Sequence, residues 1–260
     1  MTAITEIEQS VNRIDLEAKV KQMYKDVAEH PEKKYHFEMG RALAERLGYD
    51  PKTLDQIPSG AIDSFAGVGY FFGLANIQPG QHVVDLGSGS GMDVFYASQQ
   101  TGSTGSVVGI DMTDAQLQKA TQLKAGLDDH INFHHGYIEQ LPIIANSMDV
   151  VISNGVINLS SDKRKVFEEA ARVLKPGGKL AISDIVSEKQ LPESIACNST
   201  YWAACIGGAM QVDQYLQLIT DAQMDVIQVV NNPYAFISKG AMGATQNYGI
   251  KSISVLAIKK

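Results

Sequence analysis

Two cysteines, Cys197 and Cys205, are all that the 260 residues contain. That is too few for a disulfide framework and points to a reducing compartment, the cytoplasm. No apolar span approaches the ~18 residues of a membrane helix, so no membrane association is expected. The N-terminus carries Glu6 and Glu8 and lacks an apolar h-region, so no secretory signal is expected either. There is no basic run. Asp and Glu outnumber Lys and Arg by 29 to 22, for a net charge of −7. This balance argues against nucleic acid, whose binding rests on neutralising phosphates with Lys and Arg. Internal repeats and low-complexity tracts are also missing. What is present is a 44% share of hydrophobic residues, enough for a sizeable core in one domain with an attached element.

The chain is organised around His82 to Asp111. Val83, Val84 and Leu86 form a short apolar run closed by glycines, which reads as a buried strand. Gly87, Gly89 and Gly91 follow it. Met92 to Gln100 has no breaker and reads as a helix, and Val107, Val108 and Ile110 give a second strand ending in Asp111. Strand, glycine loop, helix, strand is the first half of a doubly wound α/β domain, whose ligands sit at the carboxyl ends of the strands.

The chemistry of this loop narrows the ligand. A Walker loop needs Gly-Lys-Ser/Thr, but Met92 and Asp93 follow the last glycine, so no Lys neutralises a phosphate. The dinucleotide fingerprint needs Gly-x-Gly-x-x-Gly, and Met92 stands where its last glycine belongs. Asp93 in the first helical turn would repel a pyrophosphate. An Asp at each strand end suits a ligand with a cation and a free ribose. Asp85 suits an ammonium, held through water, and Asp111 both ribose hydroxyls. S-adenosylmethionine has an ammonium, a sulfonium and a ribose, and no phosphate.

Residues 1–60 precede this fold. Leu16, Val20, Met23, Tyr24 and Val27 follow helical spacing until Pro31. Phe37, Leu43 and Leu47 predict a second helix that Gly48 caps, and Asp50-Pro51 starts a further short turn. This segment reads as a helical cap on the sheet edge or as a lid over the ligand, two compatible readings. Residues 61–260 then form the ligand-binding domain. Phe65, Phe71 and Phe72 read as core, while Tyr70 is placed against the sulfonium, since aromatic faces attract cations.

Thr113-Asp-Ala-Gln116 has the capping-box pattern and opens a helix carrying Leu117, Ala120, Thr121 and Leu123. Ile131 to His135 reads as the next strand. His134 and His135 alternate across it, so they make no metal pair, and no metal site is expected. Asp149 to Ser153 is the fourth strand, and its carboxyl end places Asn154 at the ligand crevice. A helix over 162–175 ends at Pro176-Gly177-Gly178, and Leu180 to Val186 is the fifth strand. Ser194 to Met210 reads as a helix holding both cysteines, and Val212 to Ala222 as another. Val226 to Val230 and Ile253 to Ile258 close the sheet across a long polar excursion.

The Asp-Leu-Gly-Ser-Gly-Ser-Gly run with Gly-Ile-Asp downstream resembles the class I methyltransferases. That resemblance implies a Rossmann-like α/β fold with a seven-stranded sheet in the order 3-2-1-4-5-7-6, its last strand antiparallel. A closer resemblance, to the arsenite methyltransferase family, covers about residues 62–225. It rests on Asp85-Leu-Gly-Ser-Gly-Ser-Gly91, Gly109-Ile-Asp-Met-Thr113, Gly136-Tyr-Ile-Glu139, Ser153-Asn-Gly-Val-Ile-Asn-Leu159, Val173-Leu-Lys-Pro-Gly-Gly178 and Cys205-Ile-Gly-Gly-Ala209. It implies cofactor contacts at Asp85, Gly87, Gly89, Asp111, Met112, Ile138, Glu139 and Asn154, with Ile138 and Glu139 on the adenine. Ser88, Gly91 and Tyr70 complete the expected cofactor set, with Cys205 and Asn154 at the reacting end.

The chain departs from that family at the thiolates that hold trivalent arsenic. Cys205 matches one, but Gly155 and Val68 stand where the resemblance places two others. On a continuous helix Cys197 and Cys205 would lie about 12 Å apart, at ~1.5 Å per residue. The methyl acceptor is therefore either arsenite or a methylarsenical, held by Cys205 with an exogenous thiol such as glutathione, or a small organic nucleophile. His36 or Glu38 is the candidate base for the organic acceptor. A non-catalytic cofactor-binding protein is the reading from another class. The sequence leaves the oligomeric state open.

Overall fold

A computed structural model describes residues 13–127, 129–196, 198, 201–202, 206–237 and 239–260. The described N-terminal residues form two helices at the expected places, but the second begins at Gly40, leaving Phe37 in the bend before it. α1 spans Arg13–Glu29 and buries Leu16, Val20 and Val27. α2 spans Gly40–Leu47 and is closed by Gly48, whose φ of 114° lets its N–H reach the carbonyls of Ala44 and Glu45. Asp50 caps the one-turn α3, Pro51–Leu54, by accepting from the Thr53 N–H at 3.0 Å. Two more short helices, α4 (Ser59–Asp63) and α5 (Phe72–Ala75), lead into the sheet.

The sheet is built from β1 (His82–Leu86), β2 (Ser106–Asp111), β3 (Ile131–His135), β4 (Met148–Asn154) and β5 (Leu174–Ser187). Between them run α6 (Met92–Thr101), α7 (Asp114–Lys124) and α8 (Lys163–Val173). The C-terminal part adds α9 (Glu193–Ala196), β6 (Met210–Gln211), α10 (Val212–Asp221), β7 (Met224–Asn231), α11 (Lys239–Tyr248) and β8 (Lys251–Lys259). Strand order is β3-β2-β1-β4-β5-β8-β7, with the two-residue β6 beside β5. Without that short strand this is the expected 3-2-1-4-5-7-6. The first five strands pair in parallel, and β8 is antiparallel to both neighbours.

Successive residues of each strand point to opposite faces, so one apolar run serves two cores. Val83, Val107, Val150 and Ile152 pack with Leu43, Tyr49, Phe71, Phe72 and Phe95 on one face. Val84, Leu86, Val151 and Ile182 pack with Val166, Phe167, Tyr215 and Ile219 on the other. The order reverses between β1 and β4, and the crevice over their carboxyl ends is where an open α/β sheet binds its ligand.

Four local expectations are corrected. Thr113 is the N-cap of α7 but makes no side-chain cap bond. Gln116 is turned inward instead, accepting from the Ser90 hydroxyl and donating to the Tyr24 carbonyl. On the same helix Thr121 is exposed, so the buried pair is Gln116 and Ala120. Strand β5 begins at Leu174 and runs through Pro176-Gly177-Gly178, because Leu174 already pairs with Met148 before a bulge. Ser194 to Met210 is not one helix. Among the described residues α9 stops at Ala196, and Gly207 and Gly208 form a turn ahead of β6. A Cβ at Gly208 would strike the Asn158 backbone, so the glycine is needed where the chain crosses it. Both cysteines lie outside the described residues.

Candidate active site

The glycine loop, Asp85, Asp111 and Asn154 trace to the ends of β1, β2 and β4. The backbone leaves β1 at Leu86 and turns back under β2, with the N–H groups of Gly87 and Ser88 donating to the Ile110 carbonyl. Gly87 has φ of 72°, and a side chain there would run into Val156. Gly89 has φ of 53°, and its N–H donates to Asp111 Oδ2 at 2.9 Å. Asp111 Oδ1 accepts from the Thr113 N–H at 2.8 Å. The carboxylate at the end of β2 therefore tethers the glycine loop and the start of α7.

Asp85 is 2% exposed, and its Oδ2 is buried without a hydrogen-bond partner. Burial pushes its pKa well above the usual range, and the neighbouring charges of Asp93 and Asp111 add to the shift. Asp93, in the first turn of α6, is also buried. It accepts from the Tyr49 hydroxyl at 2.6 Å and from Asn154 Nδ2 at 3.1 Å. Burial raises its pKa to about 6, against the pull of those two bonds. Burial raises Asp111 too, opposed by the backbone N–H groups of Thr113 and Gly89.

Asn154 ends β4 and spans three segments. Its Oδ1 accepts from the Val68 N–H at 2.8 Å, and its Nδ2 also donates to the Tyr49 hydroxyl and the Gly69 carbonyl. Ser252 Oγ, on β8, donates to the Val68 carbonyl at 2.7 Å. The Gly67–Gly69 strap is thus pinned over the sheet. A Cβ on Gly67 would fall 2.7 Å from Asn154 Nδ2, so the strap can lie this close only without one.

These groups line a cleft of about 1230 Å³, part of it open to solvent. Met112, Ile138 and Glu139 form another part of its wall, and Glu139 accepts from the Ser160 hydroxyl. Leu16, Glu17, Val20 and Tyr24 of α1 cover it. That helix is latched at the rim, where Lys21 Nζ donates to the Tyr137 hydroxyl and that hydroxyl donates to Glu17. Farther along, Lys119 Nζ donates to the Ala28 carbonyl and to Ser64 Oγ.

Of the residues expected here, Asp85, Gly87, Ser88, Gly89, Asp111, Met112, Ile138, Glu139 and Asn154 all line the cleft. Tyr70 does not. Its ring packs on Tyr49 at 5.0 Å between centroids and on Phe72 at 5.9 Å, in an aromatic cluster away from the cleft. Gly91 stands behind the loop, where a Cβ would meet Phe133 and Phe95. His36 and Glu38 are also outside the cleft, and Glu38 is paired with Arg46. Cys205 lies outside the described residues. Sequence reasoning passed over Tyr49 as the donor to Asp93 and Gln116 as a loop anchor, and it took Asp93 only as an obstacle to pyrophosphate, without a bonding role in the cleft. Asp93 did carry a signal, a lone charge inside the apolar helix Met92–Tyr96.

The lining has a single sign of charge. Glu17, Asp85, Asp93, Asp111 and Glu139 face it, and no Lys, Arg or His is among the described lining residues. Asp85 Oδ2 and Ser88 Oγ, both buried, have no protein partner. Buried polar atoms are normally paired, so these two await a ligand that donates to them. The donor set fits a cationic ligand with hydroxyls and does not fit a phosphate.

A methyltransferase domain family matches residues 77–223. The arsenite methyltransferase of Halobacterium salinarum is 38% identical over 187 residues, 72% of this chain and 48% of that protein. The human arsenite methyltransferase is 45% identical over 138 residues, 49% of this chain and 37% of that protein. This chain thus spans about half the length, or less, of these curated relatives. Among solved structures, an arsenic(III) S-adenosylmethionine methyltransferase from Chlamydomonas reinhardtii superposes with a TM-score of 0.65. It is 29% identical and covers 86% of this chain and 75% of its own.

Proposed function

Because the chain belongs to the methyltransferase family, whose methyl donor is S-adenosylmethionine, and resembles its arsenite methyltransferases, we propose that it transfers a methyl group to a small acceptor, arsenite or a methylarsenical. The observation that carries the cofactor assignment is the buried, unpartnered Oδ2 of Asp85 in a cleft walled by acids. In this reading Asp85 takes the cofactor's ammonium and Asp111 its ribose hydroxyls. Ile138 packs on the adenine and Glu139 accepts from its amino group. Gly87, Ser88 and Gly89 let the backbone approach, Met112 walls the ribose side, and Asn154 fixes the reacting end. When bound, the cofactor supplies an electrophilic methyl. The protein contributes alignment with the acceptor and exclusion of water.

Arsenite needs soft ligands, and Cys205 with an exogenous thiol such as glutathione supplies them. A second reading, a small organic acceptor, is favoured by one contact. Where the family resemblance places two thiols, Val68 and Gly155 meet instead, and a Cβ on Gly155 would lie 3.1 Å from Val68 Cγ1. Val68 is buried among Ile185, Leu191, Ile206 and Ala209. The deciding experiment follows transfer of a labelled methyl group from S-adenosylmethionine. It offers arsenite with and without glutathione, then thiols, amines and phenols. Label in methylarsenicals supports the first reading, and label only in an organic product supports the second. Failure of the protein to bind the cofactor would reject both.

Two further outcomes follow. Asp111→Ala removes the acceptor for the ribose and also frees the Gly89 and Thr113 N–H groups. Hydrogen bonds to a charged group contribute ~1.5–3 kcal/mol, so cofactor affinity should fall about tenfold or more. Unchanged affinity by calorimetry would remove Asp111 from the site. Residues 1–60 act as a lid over the 61–260 domain in this reading, supported by the cover α1 gives the cleft. Deleting residues 1–30 should then impair turnover more than cofactor binding. A truncated protein that stays folded and turns over normally would dispose of the lid. A cytoplasmic location belongs to this reading and is supported by the low cysteine count, two in 260 residues. Among the described residues no helix is long and apolar enough to cross a membrane.

A further inference from the structure

Asp93 has no assigned part in the reading above, yet it is a buried carboxylate on the cleft wall. It shares that wall with Asp85, also buried, whose Oδ2 has no partner. Two neighbouring carboxylates cannot both hold a full charge away from water unless a cation sits with them. Among the described residues the surroundings supply none. Asp111 ends β2, Glu17 and Tyr24 face the cleft from α1, and Tyr137 and Glu139 face it after β3. Tyr49 comes from the turn after α2, and Tyr96 lies on α6 beside that ring. Lys21 at the rim is engaged by Glu17 and Tyr137, and the influence of His135 is on Asp111.

The ligand proposed for this cleft brings the missing charge. S-adenosylmethionine carries an ammonium, a sulfonium and one carboxylate, a net charge of +1. We propose that the buried pair Asp85 and Asp93 together retain one proton in the free protein and that cofactor binding expels it, making Asp93 a second acidic determinant of cofactor affinity. The O–H bond of the protonated carboxylic acid breaks, its proton leaves to solvent, and the carboxylate formed faces the cofactor's positive charge. Tyr49 and Asn154 set the poise of the pair. Each donates to Asp93 and so steadies its ionised form. Burial lifts both acids above the usual carboxylate range, Asp93 to about 6, so the exchange falls at higher pH than the titration of an exposed carboxylate.

The inference rests on the cofactor reading, and calorimetry separates the two. S-adenosylmethionine is titrated into the full chain at several pH values, each in buffers of different ionisation heat. The dependence of observed heat on buffer heat counts protons released. About one proton is expected near pH 6, with affinity rising several-fold as pH increases through this range. Asp93→Asn removes the like charge beside Asp85, so proton release should fall by half or more and the pH dependence should flatten. Tyr49→Phe takes away a donor to ionised Asp93, so the same pH dependence should move to higher pH. Cooperative melting of each variant checks that it is folded. Cofactor binding without proton release in the wild type, or with undiminished release in a folded Asp93→Asn, overturns the proposal and leaves the cofactor reading intact. Absence of any binding heat, with no protection against thermal unfolding, overturns both.

Discussion

Gly89→Val is expected to abolish cofactor binding while the protein still folds. The position is free of a steric obstacle in the folded chain, because a Cβ there would lie 3.6 Å from Gln116 Oε1, an ordinary contact. Space is therefore not what demands glycine. The backbone sits at φ of 53°, a left-handed conformation that costs a side-chain-bearing residue ~1–2 kcal/mol and a β-branched one more. The valine would also stand in the cleft that the cofactor is proposed to fill. Relief of the strain would pull the Gly89 N–H off Asp111 and loosen the ribose acceptor as well. Gly87 gives the contrast. Its Cβ would collide with Val156, so Gly87→Val should damage folding itself. The pair is read by thermal melts and cofactor calorimetry. A folded Gly89→Val protein that binds the cofactor as tightly as wild type would place the ligand elsewhere.

The same contrast shows what was legible before the structure. Strand ends were legible because their signal is local: an apolar run, a glycine, an acid. Asp85, Asp111 and Asn154 could therefore be placed on the cleft from sequence. Glycine function was only partly legible, since Gly91 satisfies the turn behind the loop and not the cleft. Tyr70 went astray because aromatics beside glycines wall a cavity or fill a core equally well. Here Tyr49, Phe72 and Tyr96 take its ring into an aromatic cluster. The Tyr49–Asp93–Asn154 network was not legible, because its members are 44 and 61 residues apart and meet only through the fold. Helix α11 was missed for a different reason. Its sequence, Lys-Gly-Ala-Met-Gly-Ala-Thr-Gln-Asn-Tyr, has two glycines and a weak apolar stripe, so it reads as loop.

Cys205→Ser should remove arsenite methylation, if arsenic is the acceptor, without changing cofactor affinity. The argument is one of ligand chemistry. Trivalent arsenic is soft, and a hydroxyl is a hard donor that does not replace a thiolate. At the two other positions where the family resemblance places thiols, Val68 packs against Gly155, and neither side chain can ligate. Cysteine at Gly155 would also have to adopt φ of 71° and press on Val68 Cγ1, so the pair cannot be restored by one substitution there. A single protein thiolate leaves the metalloid's remaining bonds to added thiol. Turnover should therefore depend on glutathione and be slower than at a site with several cysteines. Cys197→Ser should have little effect, since Cys197 has no counterpart in the resembling family. Methylarsenical production by wild type and both variants, with and without excess glutathione, is the measurement. If Cys205→Ser makes as much product as wild type, the thiolate is not the anchor. If wild type makes none while binding the cofactor, the acceptor is organic.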